Sequence, residues 1–149
     1  MLAAWLAVGK DVAVVSHESA LDLFDLSDII PDAVHLTVPR SRRSLPSVWG
    51  VKIHTTERPI GPSERWEREG IIITSPTRSI LDAAEKGADP DQIERAVVQA
   101  VGRGLASTQE LRRAASDRSR RVAQLIEGAL RRVPAWATRP PSVTGSPRD

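Results

Sequence analysis

The sequence predicts an α+β fold: a small, mostly antiparallel sheet of about four strands, preceded by one helix and followed by a helical half. Three observations predict it. Alternating, β-branched segments cluster between residues 34 and 74. Helix-start signals cluster after residue 75. The strands come before the helices instead of alternating with them, which argues against a doubly wound α/β sheet. At 149 residues, 40% hydrophobic and 27% charged, the chain is long and apolar enough to bury a core.

Residues 2–8 are apolar and read as one or two turns of buried helix. They lack a basic start and stop at Gly9-Lys10, so neither a signal peptide nor a membrane span is expected, and the protein reads as cytoplasmic. Ser16 is an N-cap for a helix to about residue 26, with Ala20, Leu21, Leu23 and Phe24 as its stripe; Pro31 bars continuation. Val34-His35-Leu36-Thr37-Val38 alternates, with Val34, Leu36 and Val38 on one face. Val51-Lys52-Ile53-His54-Thr55 alternates again, and the two strands are expected to pair as a hairpin around a basic loop, 40–47. Arg65-Trp66-Glu67 and Ile71-Ile72-Ile73-Thr74 give the third and fourth strands, with a turn at 68–70.

Ser75-Pro76 and Asp89-Pro90 each place an N-cap before an N1 proline. Helices should follow to about residue 85 and to Gly102 or Gly104. Ser107 and Glu110 make a capping box for a short helix to about residue 115. A last helix, from about 118 to 132, has Val122, Leu125, Ile126, Ala129 and Val133 on one side. The folded unit is therefore residues 1–132, strand-rich over about 34–74 and helical over about 76–132. Residues 133–149, with four prolines, read as a disordered tail.

Several function classes are excluded by what the chain contains. Aromatics are 3%, too few for a single-strand stacking platform. With no cysteine there is no disulfide scaffold, thiolate metal site or cysteine nucleophile. His17, His35 and His54 stand far apart in the sequence, without metal-ligand spacing. No glycine-rich phosphate loop or Gly-x-Ser-x-Gly is present. Ser16-His17-Glu18 has the residue types of a hydrolytic triad, but consecutive residues cannot converge as a relay, so His17 reads as structural. Asp22, Asp25 and Asp28, three apart, could share one helix face; a solvated face accounts for them without a metal or acid–base role. No enzyme activity, metal or cofactor is expected.

Charge is the more informative signal. Residues 1–35 hold Lys10 against six carboxylates, net −5, so the remainder carries +7 of the overall +2. Arginine supplies 18 of 21 basic residues, which reflects either phosphate or carboxylate recognition or a GC-rich genome. Arg40, Arg42 and Arg43 at a hairpin tip, with Lys52 on the following strand, would contact phosphates or an acidic partner; a solubilising loop is the other reading. Arg120 and Arg121 on the last helix are read the same two ways, because the arginines there form no clean stripe.

Five segments together carry a family resemblance: Ser16-His17-Glu18-Ser19-Ala20-Leu21; Leu26-Ser27-Asp28; Val34 through Arg40; Gly50-Val51-Lys52-Ile53-His54; and Gly70 through Ala84. In order and spacing the chain resembles the AbiEi family of antitoxins and transcriptional regulators from abortive-infection toxin–antitoxin operons, over roughly residues 1–132. The resemblance implies a non-enzymatic protein that antagonises a nucleotidyltransferase-like toxin, with residual nucleic-acid binding through the basic loop. The family's winged helix-turn-helix has no counterpart in these residues. The alternatives are a DNA-binding transcriptional regulator, or a truncated piece of a longer regulator or nuclease-fused protein. The implied partners are that toxin and DNA, and no membrane.

Overall fold

The computed structural model describes residues 1–10, 12–42, 45 and 47–138, and its fold is α+β. The helices are α1 (Leu2–Val8), α2 (His17–Leu23), α3 (Pro76–Glu85), α4 (Pro90–Gly102), α5 (Thr108–Ala115) and α6 (Arg120–Leu130). The strands are β1 (Val14–Val15), β2 (Val34–Pro39), β3 (Val51–Thr56), β4 (Arg65–Arg68) and β5 (Ile71–Thr74).

The five strands lie in the order β3-β2-β1-β5-β4. The sheet is mixed, which corrects the mostly antiparallel expectation. β1 and β2 are antiparallel, as are β4 and β5, but β1 is parallel to β5 and β2 parallel to β3. The expected hairpin is therefore wrong. Val34 pairs with Val51, Leu36 with Ile53 and Val38 with Thr55. Parallel pairing requires the chain to cross over between Pro39 and Val51, and the eleven-residue separation is too long for a tight turn. Burial agrees: His35, Leu36, Thr37 and Val38 are all covered, so β2 is an inner strand buried on both faces. β1, only two residues long, gave no periodic signal.

The β4–β5 hairpin forms where expected. Glu69 (φ 52°) and Gly70 (φ 83°) both adopt left-handed conformations, as a two-residue turn of type I′ requires. The four helices of the helical half start with side-chain caps. Ser75 Oγ accepts from Arg78 N, Asp89 Oδ1 from Asp91 N, Ser107 Oγ from Glu110 N and Ser119 Oγ from Val122 N.

α2 ends three residues short of the expected boundary. Asp25 turns left-handed (φ 58°), and Leu26 N donates back to Leu21 O in a Schellman closure. This takes Asp25 and Asp28 off the helix, so the three carboxylates do not share a face; Asp28 pairs with Arg95 at 2.9 Å. α1 is not buried as expected: Trp5 alone is buried, its Nε1 donating to Ala13 O at 2.7 Å, while Leu2 and Leu6 are exposed. The described residues continue past α6 to residue 138. Ala135–Thr138 form a 3-10 turn, and Val133 and Ala137 pack against the core. The rest of the expected disordered tail lies outside the described residues.

α2 and α3 pack on each other and α2 lies against β2 and β5, while α4, α5 and α6 assemble behind α3. One core runs through both halves, from Leu21, Phe24, Leu36 and Ile73 to Ile80, Ile93, Leu111 and Ile126. Ile80 is fully buried near the middle of α3. Ile80→Ala should cost about 2–5 kcal/mol. Urea unfolding should show a lower midpoint at unchanged slope.

Candidate functional site

Two polar assemblies lie against β2 and β3 and border a cleft at the carboxyl ends of these strands. The first is a stack of three imidazoles. His17 opens α2, His35 lies on β2 and His54 on β3. The His17 and His54 rings are 3.7 Å apart between centroids, and His35 Nδ1 lies 2.9 Å from His54 Nε2. Residues far apart in sequence thus converge, because parallel pairing sets His35 and His54 on neighbouring strands two registers apart. Ser16 stands at the N-cap of α2 as expected, but its hydroxyl makes no capping bond; buried, it accepts from Thr37 Oγ1 at 2.6 Å and lies 2.7 Å from His17 Nδ1. His17 itself is held at φ 53°.

Burial favours the neutral form of all three imidazoles. Burial, then the neighbouring His54 and His35, lowers His17 to about 2. Burial, then His35 and Lys86, lowers His54 to about 4. Burial also lowers His35, against an opposing pull from Glu18.

The second assembly centres on Arg78 of α3, 96% of whose surface is covered. Its Nε bonds both oxygens of Asp82 (3.1 and 3.0 Å). Nη1 reaches Pro59 O and Glu64 Oε1, and Nη2 reaches Thr56 Oγ1 and Arg58 O. Arg118 Nη2 also donates to Asp82 Oδ1, at 2.7 Å. A planar fork matches this mixture of carboxylate and carbonyl acceptors, whereas an ammonium does not. Above these groups lies a cleft of about 270 Å³, lined by His17, Thr37, Arg40, Arg58, Glu85 and Lys86 among others.

The basic residues singled out from sequence are scattered. Arg40 begins a 3-10 turn after β2, forms an ion pair with Glu57 and lines the cleft. Arg42 is exposed at the end of that turn, and Arg43 lies outside the described residues. With β2 and β3 parallel, these residues begin a crossover and do not sit at a hairpin tip. Lys52 is exposed on the edge strand β3, beside a neighbouring cleft with Glu18 and His35. Arg120 lies apart, in a groove with Arg112 and Gln124. Arg121 is structural: its Nη2 donates to Ala84 O and Glu85 O, closing the end of α3. Sequence reasoning missed Arg78, Arg58 and Lys86. The i,i+4 spacing of Arg78 and Asp82 was the available signal.

Among the described residues, no group of three or more His, Asp or Glu side chains could hold a metal ion. No helix among them is long and apolar enough to cross a membrane.

These elements define an α+β unit. No family model and no curated protein matches the chain. The crystal structure of the RV2827C protein from Mycobacterium tuberculosis is similar, with a TM-score of 0.65 over 87% of this chain at 17% identity. That likeness is one of fold, and the chain spans about half (51%) of the length of that protein.

Two outcomes test the site's construction. Arg78→Met should cost about 3–5 kcal/mol, because it strands buried acceptors. Arg78→Lys should recover little of that loss. The histidines give a pH dependence whose sign is fixed. The unfolded chain takes up their protons near 6.5 and the folded chain only near 4 (His54) or 2 (His17). Stability is therefore complete above about pH 7 and declines as pH falls through 6.5 towards 5, by up to about 1.4 kcal/mol per pH unit for each histidine. Urea midpoints between pH 7.5 and 5 measure it, and His54→Gln should flatten the profile by about one proton.

Proposed function

We propose that this chain is an AbiEi-like, non-enzymatic antitoxin or regulator segment. It acts in the cytoplasm, antagonises a nucleotidyltransferase-type toxin, and keeps some affinity for nucleic acid. The observation that carries this reading is where the five family-like segments fall. They occupy α2, the turn after it, β2, β3, β5 and α3, which form one continuous unit. Within that unit, Arg78, Asp82 and the imidazoles bond to one another and to backbone carbonyls, a scaffold for a binding surface. Arg42 and Lys52 remain exposed for charge-assisted contact with phosphate or with an acidic partner.

Co-expression with the neighbouring toxin gene tests the antitoxin role: growth should be restored, and failure of the intact chain to restore it removes this reading. Nucleic-acid contact is tested separately by mobility shift. Affinity should fall steeply with salt, and Arg42→Ala with Lys52→Ala should weaken binding to all sequences alike.

A further inference from the structure

The cleft at the carboxyl ends of β2 and β3 has polar groups that the fold leaves unsatisfied. Arg40 is held by Glu57, and Arg118 by Asp82. Lys86, the C-cap of α3, has no ion pair among the described residues. Arg58 has none either; its Nη2 donates only to a carbonyl, that of Asp117, at 2.8 Å. On the same wall, Glu85 Oε1 is buried with no hydrogen-bond partner, a condition that native structures rarely tolerate. His17, held in a left-handed conformation that a non-glycine residue adopts at a cost, lines the cleft as well.

We propose that this cleft binds a small sugar phosphate of nucleotide size, its phosphate on Lys86 and Arg58 and a sugar hydroxyl on Glu85. A purely anionic ligand would set its charge against the Glu85 carboxylate, which lines the same cleft. A neutral sugar would leave the two cations without a counter-charge. A ligand that joins a phosphate to a hydroxyl-bearing ring satisfies both, since a carboxylate accepts from hydroxyls while ammonium and guanidinium groups donate to phosphate. The volume, about 270 Å³, lies at the small end of ligand sites and suits one sugar phosphate or mononucleotide. This inference stands independently of the antitoxin reading.

Calorimetric titration of the full chain tests it with ribose 5-phosphate, adenosine monophosphate, inorganic phosphate and ribose. Both phosphorylated sugars should bind saturably, inorganic phosphate more weakly and ribose undetectably. If the monophosphate binds more tightly than ribose 5-phosphate, the ligand is a mononucleotide; the reverse order makes it a simple sugar phosphate. Lys86→Met should weaken binding about tenfold or more. Arg113→Met, an equal loss of charge on α5, should leave it unchanged. Glu85→Gln should abolish the preference for ribose 5-phosphate over inorganic phosphate. Absence of saturable binding at millimolar ligand overturns the proposal, as does an equal loss in Lys86→Met and Arg113→Met. A preference that survives Glu85→Gln overturns the role given to that carboxylate.

Discussion

The guanidinium of Arg78 is the interaction on which the arrangement depends. It is buried, and it reaches Asp82 on its own helix together with Thr56, Arg58, Pro59 and Glu64 on the segment that leaves β3. A single side chain therefore fixes α3 to the far end of an edge strand. A buried ion pair of this kind is no great source of net stability, because desolvation offsets much of the attraction. Its effect is positional: the fork accepts few alternative arrangements of its partners. Through Asp82 it also positions Arg118, which stands at the entrance to α6. The sheet and the helical half are thereby registered against each other.

The imidazole stack plays a complementary part beneath the same cleft. Three neutral rings fill space between α2 and the parallel strands as aromatic side chains would, yet they bond to one another and to Ser16, which in turn accepts from Thr37. Polar groups in a dry interior need such partners. This neutrality holds only while the surroundings exclude water and cations stay at the margin. Lys86 and Lys52 lie at that margin, and their charges push in the same direction as burial.

Much of the helical half was legible in the sequence, because its signals are local. Ser75-Pro76, Asp89-Pro90 and Ser107 mark helix starts through bonds made within three residues. Glu69-Gly70 marks a turn for the same reason. What was not legible depends on partners distant in the chain. Alternation in Val34–Pro39 and Val51–Thr56 reveals two strands but not whether they run parallel, and the eleven-residue connection was the only hint. The histidines meet only because of that parallel register. The polar cluster around Arg78 was hidden for a related reason. Exposed arginines stand out in a sequence, whereas Arg78 becomes conspicuous only once its acceptors arrive from residues 56–64.

The shortness of β1 has a consequence for how the chain reaches this state. Val14 and Val15 join the two sides of the sheet, with Val15 opposite Leu36 on one flank and Ile73 on the other. The second pairing closes a long stretch of chain for very few ladder bonds, so its entropy cost precedes most of its reward. Helices α3 to α6, built from near neighbours, can form early, while the middle of the sheet must wait for them as a platform. Lesions at Val15 would then slow folding more than they hasten unfolding, which marks this dipeptide as a kinetic bottleneck.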